Sequence, residues 1–84
     1  MSPRSFKRDS SLLLLGKTVK ALRAEAGMTQ KELAARSGID STYVSKIERG
    51  AANLTWVALG RLSAGFGMPR SALVRRVEDV ERGT

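Results

Sequence analysis

The stretch TQKELAARSGIDSTYVSKIERG, residues 29–50, decides the fold. It opens on TQKE at 29–32, which has the pattern of a capping box. In such a box the Thr hydroxyl accepts from the amide three residues on, and the Glu side chain reaches back to the Thr amide. The box predicts a short helix over residues 30–37.

A turn and a second short helix follow. Gly38 is suited to end the first helix because glycine adopts positive φ without steric cost. Asp40 is a suitable N-cap for the second helix, since its side chain can accept from a free backbone amide. The second helix is predicted from Ser41 to about Arg49, ending at Gly50.

The two helices carry the residues that a steep crossing needs. Ala34 is small enough to let the second helix come close, and Gly38 supplies the turn. Val44 and Ile47 lie three residues apart, so they point back to a common core. The remaining side chains of the second helix face outward: Ser41, Thr42, Tyr43, Ser45, Lys46 and Arg49.

This outward face has hydrogen-bonding groups and cations and no carboxylate. Glu48 lies beside it, and we expect Glu48 to form hydrogen bonds within the motif, since an acid facing phosphate would be repelled. A helix that presents donors without an acid can enter the major groove of DNA. Arg49 has an alternative role as the partner of Glu48 or Glu32 in a surface ion pair.

Apolar residues at helical spacing predict three further helices. One begins near Ser11 with a stripe that ends at Ala26, and the next is capped by Thr55. The last begins at Pro69, a residue suited to a first helical turn. Bulky Met28, Trp56 and Phe66 are expected in the core or at a subunit interface. The fold class is therefore all-α, with five helices in one compact domain.

Domain organisation follows from the length and the distribution of charge. Residues 10–82 form the predicted domain, and the basic segment 1–9 is expected to be a mobile arm. A chain of 84 residues has a small core, and a core of this size often gains stability from a partner subunit. Four apolar residues exceed what the core needs, and they predict a homodimer surface on the fourth and fifth helices: Val57, Val74, Val77 and Val80.

The composition narrows the class of function. Fifteen Lys and Arg against eight Asp and Glu give a net charge of +7, which favours polyanions. The chain has no His and no Cys, the residues that most often serve as general base, nucleophile or metal ligand. We therefore expect neither an enzyme nor a metal or cofactor site. No apolar run approaches the ~20 residues of a membrane span, which predicts a cytoplasmic protein without a membrane partner.

Residues 29–50 resemble the helix-turn-helix of the phage-repressor-like (lambda-repressor-like) family of bacterial regulators. The matching positions are Gln30, Ala34, Gly38, Val44, Ser45, Ile47 and Glu48. The continuation through residues 53–55, together with Asp40 and residues 42–45, is similar to the controller proteins of restriction–modification systems. The resemblance implies a two-fold symmetric dimer built from the C-terminal helices, on a palindromic operator near the protein's own promoter. RNA polymerase is a further candidate partner.

The resemblance also implies roles for individual residues. Positions at the bases would be Ser41, Thr42, Tyr43, Ser45 and Lys46, and positions at the phosphates would be Gln30, Arg49, Asn53 and Thr55. The chain departs from the controller pattern at Ser41, where Arg is frequent, and at Ala52, where a basic residue is frequent. Arg is the best bidentate partner for guanine, so the operator sequence of relatives does not transfer.

Two alternatives stay open from the sequence. An antitoxin or phage-type repressor would use the same groove-reading helix but would serve a different partner. A protein-interaction adaptor on the same fold would have lost DNA binding, and it predicts a neutral or acidic face on the second helix of the motif.

Overall fold

The computed structural model describes residues 10–83, and these residues form five helices without a β-strand. The predicted arm, residues 1–9, lies outside the described residues. The all-α, five-helix prediction is confirmed. The helices are α1 (Ser10–Glu25), α2 (Gln30–Ser37), α3 (Ser41–Glu48), α4 (Trp56–Gly65) and α5 (Arg70–Glu81).

Local hydrogen bonds set where the central helices begin. The Thr29 hydroxyl accepts from the Glu32 amide at 3.0 Å, and the Thr29 amide donates to the Glu32 carboxylate at 2.8 Å. This capping box lowers the pKa of Glu32, chiefly through the hydrogen bond from the Thr29 backbone. Asp40 caps α3 by accepting from the amide of Thr42, and Gly38 makes the turn with φ of +68°. The predicted boundary signals of α2 and α3 are therefore confirmed.

The core draws at least one fully buried side chain from every helix. At most 1% of each of these residues is exposed: Val19, Leu33, Val44, Ile47, Leu62 and Leu73. Ala34 is buried where α2 meets α3, as the crossing requires. Ala26 was expected to extend the stripe of α1, and this was wrong because the helix ends at Glu25 and Ala26 is exposed.

The close approach of α1 to α3 depends on Gly16. A Cβ atom at this position would collide with the backbone carbonyl oxygens of Ile47 and Glu48. Gly16 is buried within α1, where a glycine costs helix stability and needs a packing reason. Its absent side chain lets α1 lie directly against the last turn of α3, which fixes the position of the outward-facing helix.

Candidate nucleic-acid interface

Helix α3 presents its polar face to solvent. Val44 and Ile47 are buried, and the side chains of Thr42, Lys46 and Arg49 on the other side are exposed. Ser41, Tyr43 and Ser45 are half-buried at the edges of that face. The structure thus brings together the residues that the sequence predicts at the bases, and their contacts with DNA stay predictions.

The single acid of α3 is turned away from the exposed face. Glu48 accepts from Arg23 at 2.7 Å and 3.1 Å, and its carboxylate also accepts from the side-chain amide of Gln30 at 2.9 Å. Only 4% of the Glu48 side chain is exposed. The hydrogen bond to Glu48 raises the pKa of Arg23. The expectation that Glu48 has a structural role is confirmed, and the outward face keeps its positive charge.

Gln30 is held in place by the same cluster. Its side-chain amide has two N–H groups, and one of them donates to Glu48. The other N–H would be available to a phosphate, together with the backbone amides of Gln30 and Lys31 at the start of α2. Arg23 also donates to the backbone carbonyl of Met28, so the cluster joins α1, the start of α2 and the end of α3.

The remaining predicted phosphate residues lie around the segment between α3 and α4. Thr55 caps α4 by accepting from the amide of Ala58, which leaves its hydroxyl proton free to donate. The Tyr43 hydroxyl lies 3.4 Å from the backbone carbonyl of Asn53, a long and weak hydrogen bond. Asn53 and Thr55 are both exposed, so each is accessible to a phosphate.

Arg49 makes neither of the ion pairs that the sequence left open. Its guanidinium donates to the hydroxyl of Ser45 at 2.8 Å, one turn earlier on α3. The hydrogen bond links a predicted phosphate residue to a predicted base residue. Because its partner is an uncharged hydroxyl, Arg49 keeps its charge available to an anion.

The four predicted interface valines divide into two groups. Val74 and Val77 line an apolar groove between α1, α5 and the segment before α4. The groove has a volume of about 250 Å³ and is also lined by Leu12, Leu15, Leu54, Leu59 and Leu73. Val57 and Val80 are more than half exposed and lie outside this groove. The placement of these four valines in a dimer interface stays a prediction.

Trp56 is not a core residue of this chain, since 69% of it is exposed. The guanidinium of Arg70 stacks over the indole at 4.3 Å from the ring centroid, and its Nε donates to the Trp56 carbonyl at 3.1 Å. Gly60 makes this possible because a Cβ there would collide with the Arg70 side chain. Sequence reasoning missed this pair, which joins residues fourteen positions apart.

Among the helices of the described part of the chain, none is both long and apolar enough to cross a membrane.

Comparisons with known proteins agree with this architecture. Residues 14–77 of this chain match a protein family that is described as a helix-turn-helix domain. The transcriptional regulator y4dJ of Sinorhizobium fredii is 38% identical over 71 residues, which are 84% of this chain and 92% of that protein. Control protein C.MunI of a Mycoplasma species is 39% identical over 64 residues, which are 75% of this chain and 86% of that protein.

A solved complex shows the same fold on DNA. The restriction–modification controller protein C.Esp1396I bound to a 25 base pair operator site has a TM-score of 0.75 and 33% identity to this chain. The match covers 82% of this chain and 91% of that chain. The chain therefore belongs to the helix-turn-helix family of transcriptional regulators that includes the restriction–modification controller proteins.

Proposed function

We propose that this chain is a homodimeric, sequence-specific DNA-binding regulator of transcription, acting in the cytoplasm. It would bind a palindromic operator at its own promoter and control the genes of a restriction–modification system. Contact of the bound dimer with RNA polymerase, next to the promoter, is part of this proposal.

The exposed face of α3 is the observation that supports DNA binding most strongly. It combines the exposed side chains of Thr42, Lys46 and Arg49 with no acid, because Glu48 is buried against Arg23. Hydroxyl groups and cations of this kind form hydrogen bonds with base edges and phosphates. The adaptor alternative predicts a neutral or acidic face, which this helix does not have.

The need for two copies follows from the size of one reading helix. Such a helix reads about four base pairs, and each mismatch costs about 1–3 kcal/mol. A genome offers on the order of a million or more competing sites, so one copy discriminates too weakly. Two copies related by a two-fold axis double the readout and place their half-sites about 34 Å apart.

The test is selection of bound sequences from random DNA duplexes by the full chain at about 150 mM salt, where non-specific binding is weakened. We expect a consensus with two-fold symmetry and half-sites one helical turn apart. Recovery of all sequences at equal frequency would contradict specific binding. A specific but asymmetric consensus would contradict the dimer and leave groove reading intact.

A further inference from the structure

The side chain of Ser45, at the edge of the exposed face of α3, accepts a hydrogen bond from Arg49. The Arg49 Nη1 group lies 2.8 Å from the Ser45 Oγ atom. The two residues are four apart, so their side chains are neighbours on the helix surface. The backbone joins them as well, because the Arg49 amide donates to the Ser45 carbonyl at 3.1 Å. The guanidinium thus extends from the C-cap of α3 to a hydroxyl one turn earlier.

The hydroxyl proton of Ser45 has no acceptor among residues 10–83. Thr18 and Ser63 differ, since each donates to the carbonyl four residues earlier at 2.8 Å. That bond is a common one for a hydroxyl inside a helix. Ser45 instead has its oxygen directed to Arg49. Because Ser45 is only half-buried, its uncommitted proton is accessible to a ligand.

The contact with Arg49 gives the Ser45 hydroxyl a direction. A serine hydroxyl has one proton to donate and two lone pairs to accept with. A cationic donor on one lone pair draws electron density from the oxygen, which makes the O–H group a stronger donor. A second donor would compete with the guanidinium for the same oxygen, whereas an acceptor completes the hydroxyl with one bond in and one bond out. Ser45 is therefore set to donate.

This direction distinguishes the base atoms that line the major groove. The acceptors there are N7 of both purines, O6 of guanine and O4 of thymine. The donors are the exocyclic amino groups of adenine and cytosine. A serine without a fixed direction bonds to either kind, so it discriminates poorly between bases. A serine that only donates recognises the acceptors alone.

We propose that Ser45 reads one base of each half-site as a hydrogen-bond donor, and that Arg49 sets this direction. The ligand atom is N7, O6 or O4 of a base. The carboxylate of the neighbouring Glu48 does not compete for Arg49, because it is bonded to Arg23 and Gln30. Arg49 uses one of its five N–H groups on Ser45, and the others stay available to a phosphate. The proposal rests on the proposed function and specifies how one of its base contacts works.

The test removes single atoms from the duplex that the full chain selects. Fluorescence anisotropy with single-base variants first locates the base pair at which wild type and Ser45→Ala differ. Duplexes are then made that lack one acceptor at this base pair, or one exocyclic amino group. Loss of one acceptor should weaken the wild type about fivefold and leave Ser45→Ala unchanged, as expected for one hydrogen bond. Loss of an amino group should affect both proteins equally.

The role of Arg49 is tested with Arg49→Met, which keeps an unbranched side chain and removes the guanidinium. In this background, Ser45→Ala should weaken binding about twofold in place of about fivefold, because the hydroxyl has lost the cation that polarises it. Lys46→Met is the matched control. It removes one charge from the same face, but adjacent helical residues do not face each other, so the effect of Ser45→Ala should stay about fivefold. Thermal unfolding by circular dichroism verifies that each variant folds.

Two results would overturn base reading by donation: Ser45→Ala binding every single-base variant like the wild type, or a difference between the two proteins that disappears only when an amino group is removed. An equal effect of Ser45→Ala in the Arg49→Met and Lys46→Met backgrounds would overturn the role of Arg49. Failure of the proposed function looks different. If the wild-type chain selects no consensus, both proposals fall. If it selects a symmetric consensus that Ser45→Ala binds equally well, groove reading stands without Ser45.

Discussion

The α2–α3 half of this domain and its α4–α5 surface differ in how far one chain completes them. Around α3, the charged Glu48 is buried and bonded to Arg23 and Gln30. On α4 and α5, Trp56 and Val80 are more than half exposed, and Glu81 has no ionic partner in the described chain. A single chain completes the surroundings of α3, whereas its α4–α5 surface stays open to solvent, as the proposed homodimer requires.

The largest difference in stability between the α2–α3 half and the α4–α5 surface is expected when apolar side chains are shortened. Leu33→Ala removes a fully buried side chain that the core encloses, so it should lower the free energy of unfolding by about 4 kcal/mol. Val74→Ala removes a side chain that is 37% exposed and should lower monomer stability by less than about 1 kcal/mol while weakening the dimer. Urea denaturation of both variants, at protein concentrations below the dimer dissociation constant, measures the free energy of unfolding of the monomer. Equal losses of stability would contradict the division.

The next largest loss of stability is expected at the buried cluster of Arg23, Gln30 and Glu48. Glu48→Ala leaves Arg23 partly buried without its carboxylate and should cost about 3 kcal/mol of folding free energy. The neighbouring change Arg49→Ala removes only a surface hydrogen bond to Ser45 and should cost less than about 0.5 kcal/mol. Urea denaturation compares the two variants. A Glu48→Ala variant as stable as Arg49→Ala would show that the cluster does not support α3.

Gly16→Ala tests the close packing of α1 on α3 through the sign of its effect on stability. In a free helix this change stabilises by about 0.5–1 kcal/mol, because alanine is the better helix former. Here the added Cβ meets the carbonyls of Ile47 and Glu48, so we expect a loss of about 2 kcal/mol. The melting temperature of the variant decides this, and an increase would mean that α1 does not pack closely on α3.

The smallest expected effects separate base reading from phosphate binding. Thr42→Ala should alter base preference at one position of each half-site. The binding free energy that separates the preferred base from the others should change there by about 1 kcal/mol. Asn53→Ala should weaken all sites to a similar degree. Asn53 is a better position than Gln30 for testing phosphate binding, because the Gln30 side chain also donates a hydrogen bond to Glu48. Competition binding with a set of single-base operator variants distinguishes the patterns, and identical patterns would contradict the assigned roles.

Local signals in the sequence were sufficient for the helices and for the orientation of α3. The Thr29 capping box, the turn at Gly38 and the spacing of Val44 and Ile47 depend on near neighbours in the chain, and the structure has all three. The inward role of Glu48 also followed from the cost of an acid near phosphate.

Contacts between distant helices could not be predicted in the same way. Arg23 and Glu48 are 25 residues apart, and Trp56 and Arg70 are 14 apart. Which side chains meet depends on how the helices cross, and helical periodicity does not determine the crossing. Gly16 carries a signal that can be used, because a glycine inside an amphipathic helix indicates close backbone packing.

A structure of the chain bound to its selected duplex tests the central claim most directly. We expect α3 in the major groove, with Thr42 and Lys46 at base edges and Glu48 still bonded to Arg23 behind it. A complex in which DNA lies against another helix, while α3 faces solvent or the partner subunit, would contradict the account.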